Sequence, residues 1–451
     1  MHTLDQLRAG KLAGTTHLDL SEGLTEFPAE IFELADTLEI LNLSGNKLSD
    51  LPPDLGRLHK LRILFCSNNE FTSVPEVLGQ CPQLSMVGFK ANQIQTLPAA
   101  ALTPALRWLI LTDNQLTNLP PELGNCKYLQ KLMLAGNQLT ELPASMAACT
   151  RLELVRIAAN RFKALPEWLL SLPRLSWLAY AGNPFSEAAE QAAVVQHPIT
   201  TIDWAALTLQ QQLGEGASGV IYQGQWQREN ASPQAVAVKL FKGAVTSDGL
   251  PRSEMAACIS AGAHPNLIAV GGKIGGHPAG AEGLVLELID PAFGNLAGPP
   301  SFVTCTRDIY DPETIFSVED ALHIAAGIAG AAEHLHERGI MHGDLYAHNI
   351  LTAEGGVSML SDFGAACFFD PENVATAHAL QRLEVRAFGC LLEELLDRCP
   401  DSDAIDGLKN LQQQCAQPNA AARPLFAEIR QALDLTPGPS PRGEGSQTIL
   451  K

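Results

Sequence analysis

An asparagine recurs along the first half of this chain at a nearly fixed step. Asn46, Asn69, Asn92, Asn114, Asn137, Asn160 and Asn183 lie 23 residues apart, once 22. Each step carries one frame, as in Thr37-Leu-Glu-Ile-Leu-Asn-Leu-Ser-Gly-Asn46-Lys-Leu-Ser-Asp-Leu-Pro52 and again in Tyr128-Leu-Gln-Lys-Leu-Met-Leu-Ala-Gly-Asn137-Gln-Leu-Thr-Glu-Leu-Pro143. A unit this short cannot bury an apolar face alone, so its copies must stack. The frame predicts one short parallel strand per unit with leucines turned inward. The Asn side chain is expected to satisfy backbone groups where the strand ends. About eight such units run from His17 to Phe185. The expected shape is a curved solenoid with a concave face lined by strands.

The outward strand positions of that face are unexpectedly apolar. Ile40, Ile63, Phe65, Met86, Trp108, Ile110, Met133, Leu154 and Trp177 form a stripe across nearly all units. Aromatic residues dominate interface hot spots, which makes Trp108 and Trp177 the natural anchors, with Phe65, Ile110 and Met133 beside them. Two occupants remain open: a protein partner, or the second half of this chain.

The length of 451 residues implies more than one core. Before residue 205 there are 15 basic and 20 acidic residues, and after it 15 and 29. An acid excess in both halves argues against a general nucleic-acid or anionic-membrane surface. No run of about 18 apolar residues is present, and the first residues lack a basic-then-apolar leader. A cytoplasmic location is expected. Among the ten cysteines, Cys81, Cys126 and Cys149 occupy one apolar slot in successive units. That usage is packing in a reducing compartment, not a disulfide framework. Residues 1–16 are expected to cap the first unit through a short helix, with Leu4 and Leu7 facing in. Residues 186–206 read as a linker with an Ala/Glu/Gln helical stretch. The Pro/Gly-rich tail, 434–451, is expected to be disordered.

The second half holds an ordered run of motifs. Gly214, Gly216 and Gly219 form Gly-x-Gly-x-x-Gly between two strand-like segments. Val236-Ala-Val-Lys239 follows, then Leu284-Val-Leu-Glu-Leu-Ile289, His342-Gly-Asp344, Asn349 and Asp362-Phe-Gly364. A lone glycine motif is a weak signal, but this order and strand context are specific.

The repeats resemble leucine-rich repeats, and residues 207–433 resemble the eukaryotic-type protein kinase family. The implied architecture is multidomain, α/β and α+β: a leucine-rich-repeat solenoid followed by a two-lobed kinase fold. The resemblance implies ATP and Mg as cofactors and a protein substrate. It assigns Lys239 to the α- and β-phosphates, with Glu254 as its partner. It places Gly214, Gly216, Gly219, Ile221 and Ala237 around the nucleotide, and Glu287 and Leu288 at the adenine hinge beyond Leu286. Asp344 matches the catalytic aspartate, while Asn349 and Asp362 match metal ligands. The implied activity is phosphoryl transfer to protein hydroxyls, Ser/Thr-directed and non-RD in type.

Three departures qualify that expectation. Gly343 stands where the family has arginine, so there is nothing for an activation-loop phosphate to neutralise, and Thr376 is the only hydroxyl residue between Asp362 and Glu384. Tyr346 replaces a lysine expected near the γ-phosphate. No Ala-Pro-Glu follows Asp362, so the peptide platform is reduced and Arg423 is expected to lack its glutamate. These departures keep two alternatives open: a nucleotide-binding pseudokinase scaffold, or a kinase of small molecules.

Overall fold

The computed structural model describes residues 2–434 apart from 217, 230, 244 and 401–404. The expected disordered tail therefore lies outside the described residues, save Asp434, which ends a helix. Eight three-residue strands, from His17–Asp19 to Trp177–Ala179, form one parallel sheet in chain order. Their central residues, Leu18, Leu41, Leu64, Val87, Leu109, Leu132, Val155 and Leu178, are buried. Short helical turns on the convex side open after Pro28, Pro75, Pro98, Pro120, Pro143 and Pro166. Proline suits that place because its fixed φ directs the chain and it has no N–H to satisfy. The capping helix Leu4–Arg8 is present, with Leu7 buried and Leu4 packed against the same core.

The asparagine ladder works through three or four hydrogen bonds per rung. Asn137 Nδ2 donates to the carbonyls of Leu111 (2.8 Å) and Leu134 (2.9 Å), and its Oδ1 accepts from Leu116 N (3.0 Å). Each rung thus ties one repeat to the one before it. Replacing Asn137 with Ala orphans the buried Leu116 N–H, at about 1–3 kcal/mol, and removes one of two asparagine donors from the Leu111 and Leu134 carbonyls, which keep Asn114 and Asn160. Asn137→Ala is expected to lose about 3 kcal/mol in urea unfolding, visible as a lower midpoint with unchanged slope.

The second body begins earlier than the motifs suggest. Its six-stranded sheet runs, in spatial order, Leu207–Glu215, Gly219–Trp226, Gln234–Phe241, Gly283–Glu287, Val270–Gly275 and Thr201–Asp203. The last strand comes from the expected linker and pairs in parallel. The linker helix Glu187–Gln196 packs on the helix Pro251–Ala261, where Glu190 accepts from Ser253 Oγ at 3.1 Å. This stretch is part of the fold rather than a free tether. Beyond the sheet lies a helical lobe built on Val318–Glu337, Val374–Leu396, Asp406–Cys415 and Phe426–Asp434. Among the described residues, no helix is long and apolar enough to cross a membrane. All ten cysteines are unpaired with one another, and those in the repeats are buried.

The two bodies share their interior. Leu178 and Tyr180 of the last repeat lie in one apolar core with Met341, Phe369, Leu380 and Leu383. Met133, Leu154 and Trp177 lie in the core of the helical lobe. The contact is therefore continuous with both cores, as in an obligate interface.

Candidate active site

Lys239 sits on the strand Gln234–Phe241 and Glu254 on the helix Pro251–Ala261. Their side chains form a buried ion pair. Burial alone would lower the Lys239 pKa, but the Glu254 carboxylate outweighs it and raises the value. Gly214 and Gly216 have no atom within 4 Å of where a Cβ would stand, which leaves open space at the strand turn. Gly219 has a different reason for being glycine: a Cβ there would stand 2.4 Å from the Leu240 carbonyl oxygen. Ile221 pairs with Lys239 across the sheet, and Ala237 pairs with Leu286. At the expected hinge, the Glu287 N–H donates to the Ala269 carbonyl (2.9 Å), which takes that donor away from a base. Leu288 follows directly after the strand.

The loop carrying Asp344 is held from below and from the side. Glu384, buried on the helix Val374–Leu396, accepts from the N–H groups of Gly343 (2.7 Å) and His342 (3.3 Å) and pairs with His336 (2.6 Å). Burial would raise the Glu384 pKa, yet the His336 contact and these charged or polar neighbours bring it below the usual value. His342 Nε2 meets the Ser361 carbonyl at 2.9 Å. Asn349 Nδ2 donates to Asp344 Oδ2 at 2.9 Å, so its amide oxygen faces away from that bond. Asp362 has φ +56°, a strained value for a non-glycine residue, and its carboxylate accepts from Gly364 N at 3.0 Å. Strain of this kind clusters at functional sites.

These oxygens fit a hard cation. One carboxamide and one carboxylate, completed by phosphate oxygens, suit a divalent metal that prefers oxygen ligands. Among the described residues no cluster of three His, Cys, Asp or Glu could hold a metal alone.

The departures acquire physical reasons. Gly343 has φ +74°, and a Cβ there would stand 2.6 Å from the Ala365 carbonyl oxygen and 2.7 Å from that of Leu178. Leu178 belongs to the last repeat, so the repeat backbone occupies the space an arginine would need. Tyr346 stacks flat on Trp177, with centroids 4.1 Å apart and planes at 5°. Trp177 Nε1 also donates to the Leu345 carbonyl at 3.0 Å. The helix Val374–Leu396 starts 12 residues after Asp362, leaving little chain for a peptide platform. Arg423 is buried and donates to three carbonyls, of Gln417 (2.9 Å), Arg382 (3.1 Å) and Pro173 (2.8 Å). Burial without a carboxylate partner pushes its pKa down to about 10.

Much of the apolar stripe lies against the second body. Besides Trp177, Met133 is buried in the helical lobe's core, and Trp108 and Ile110 pack against that core. Phe65 stands 5.6 Å from Phe302. One residue on this face escaped the sequence reading: Arg156. Its side chain is fully buried, pairing with Asp248 (2.8 Å) and with Asp344, and donating to the Gly343 carbonyl (3.1 Å). Its position could have flagged it, because it is the only cation in the outer column Asp19, Asn42, Phe65, Gly88, Ile110, Met133, Arg156 and Ala179.

Comparison with known proteins agrees with this geometry. Residues 207–390 match the protein tyrosine and serine/threonine kinase family. Residues 36–79 and 104–162 match leucine-rich repeats. The chain therefore joins leucine-rich repeats to a protein kinase domain. Among curated relatives, a probable serine/threonine-protein kinase of Arabidopsis thaliana is 24% identical over 35% of this chain and 29% of its own length. The megakaryocyte-associated tyrosine-protein kinase of Mus musculus is 31% identical over 43% of this chain and 37% of its own. The tyrosine-protein kinase transforming protein Abl of Abelson murine leukemia virus is 26% identical over 51% and 34%. The chain spans about a third of the length of these relatives.

Proposed function

We propose that this chain transfers the γ-phosphoryl group of ATP to hydroxyl groups of proteins in the cytoplasm, with magnesium as the metal. One observation carries the reading. The Lys239–Glu254 pair is formed while Asp344, Asn349 and Asp362 stand on the loops facing it. In the proposed step the acceptor hydroxyl gives its proton to Asp344 as its oxygen bonds the γ-phosphorus. The bond from that phosphorus to the β–γ bridging oxygen breaks, and ADP leaves. Asn349 and Asp362 would hold the metal, which would neutralise phosphate charge. The intact pair and loop favour turnover over a pseudokinase scaffold. Serine and threonine are the proposed acceptors, and the repeats are proposed to act in recognition or regulation.

A second reading, transfer to a small molecule, is favoured by the repeat strands that cover the Asp344 loop. Full-length protein incubated with labelled ATP and Mg²⁺ tests both, with casein or a metabolite extract as acceptor. Label on protein serine or threonine, reduced at least about 10³-fold by Asp344→Asn, supports the proposal. Label only in the metabolite fraction selects the second reading, and ATP binding without transfer selects the scaffold.

A further inference from the structure

We propose that Arg156, a residue of the seventh repeat strand, positions the carboxylate of Asp344, so that the catalytic site is shared between the repeats and the kinase domain. This inference rests on the reading of Asp344 as the proton acceptor.

Three observations carry it. First, among the described residues every hydrogen-bond partner of the Arg156 side chain lies across the boundary: Asp248, the Gly343 carbonyl and Asp344. A guanidinium buried this deeply is costly unless fully paired, and these partners pair it. Second, the kinase loop has no lysine or arginine beside Asp344, and its His348 pairs with Asp308 instead (2.7 Å). Position 343 cannot carry a side chain while Leu178 lies against it, and position 346 holds a tyrosine stacked under Trp177. The repeats thus fill both places and supply one positive charge in return. Third, Arg156 holds Asp344 without using it up. Arg156 meets Oδ1 and Asn349 meets Oδ2. Each carboxylate oxygen has two acceptor directions, so one on each remains for an incoming hydroxyl.

The alternative use of the same contact is a lock, in which Arg156 blocks Asp344 until the repeats swing away. The shared core argues against it. Opening would expose Trp177, Leu178 and Tyr180 together with Met341, Phe369 and Leu380. An interface made of two joined cores behaves as a permanent one.

The test uses the full-length chain, labelled ATP with Mg²⁺, and casein as the acceptor probe. The variants are Arg156→Lys, Arg156→Gln, and Arg156→Gln combined with Asp248→Asn. The double variant removes Asp248, one of the two carboxylates that the single change would strand, which keeps the comparison valid if the single variant unfolds. The expected result is a kcat lowered about 10- to 100-fold in the double variant, because a misplaced catalytic group costs that much. KM for ATP should stay unchanged, because Arg156 touches neither Lys239 nor the glycine turn. Arg156→Lys should recover part of kcat, which a purely structural loss would not produce. A kcat that is unchanged in the folded double variant overturns the proposal. A kcat that rises overturns it in favour of the lock. Failure of the underlying reading looks different: Asp344→Asn would then transfer phosphate as well as the unmodified chain does.

Discussion

Removing residues 1–185 is expected to leave a kinase domain that does not fold cooperatively. The repeats cover part of its interior. Met341, Phe369, Leu380 and Leu383 share a core with Leu178 and Tyr180 and would face water without them. Full burial of one large apolar side chain is worth about 1.5–3 kcal/mol, so four losses amount to roughly 6–12 kcal/mol as an upper estimate. A whole domain holds only about 5–15 kcal/mol. Polar ties go too. Arg423 loses the Pro173 carbonyl, the Phe368 carbonyl loses the Tyr180 hydroxyl (3.2 Å), and Asp248 and Asp344 lose Arg156. The fragment should bind a hydrophobic dye, melt without a sharp transition and transfer no phosphate. A sharp, two-state melt of the fragment would refute the shared core. Keeping residues 186–206 in the fragment matters, because the linker helix braces the Glu254 helix and Thr201–Asp203 completes the sheet.

Much of this was legible in the residues. The Asn ladder predicts its own hydrogen bonds, since one side chain must reach one turn at each step. Lys239 and Glu254 are recognisable because strand and helix are close in the chain and each sits in its motif. What stayed hidden depends on how the halves dock. Arg156 and Asp344 are 188 residues apart, and no period or spacing links them. Gly343 reads as a lost arginine, whereas the space is taken by the Leu178 carbonyl. Arg423 reads as a residue without its acid, whereas one of its acceptors is Pro173, 250 residues earlier. The apolar stripe did announce that something covers it. Only the placement of Trp177 on Tyr346 says where.

Lys239→Met is expected to abolish measurable transfer while leaving a folded protein, and its stability should acquire a new pH dependence. In the native chain the Lys239 pKa is raised, so its charge favours folding at all pH values below the unfolded value of about 10.4. That contribution is lost only as pH rises through the higher folded value, well above neutrality. Methionine leaves the Glu254 carboxylate buried without the cation that pairs with it. Burial raises the Glu254 pKa and Lys239 counteracts it, so removing Lys239 raises it further. A raised carboxyl is stable in the fold when protonated and loses stability as pH climbs past the unfolded value of about 4.3. The melting temperature of Lys239→Met should therefore fall between pH 5 and pH 8 relative to the unmodified chain. Adding Glu254→Leu should restore it at pH 8, because no buried charge remains. Transfer should stay at least about 10²-fold down in both variants, since neither restores a cation for the phosphates. Transfer regained in the double variant would show that Lys239 serves only to neutralise Glu254. A pH-independent melting difference would show that Glu254 is reached by water.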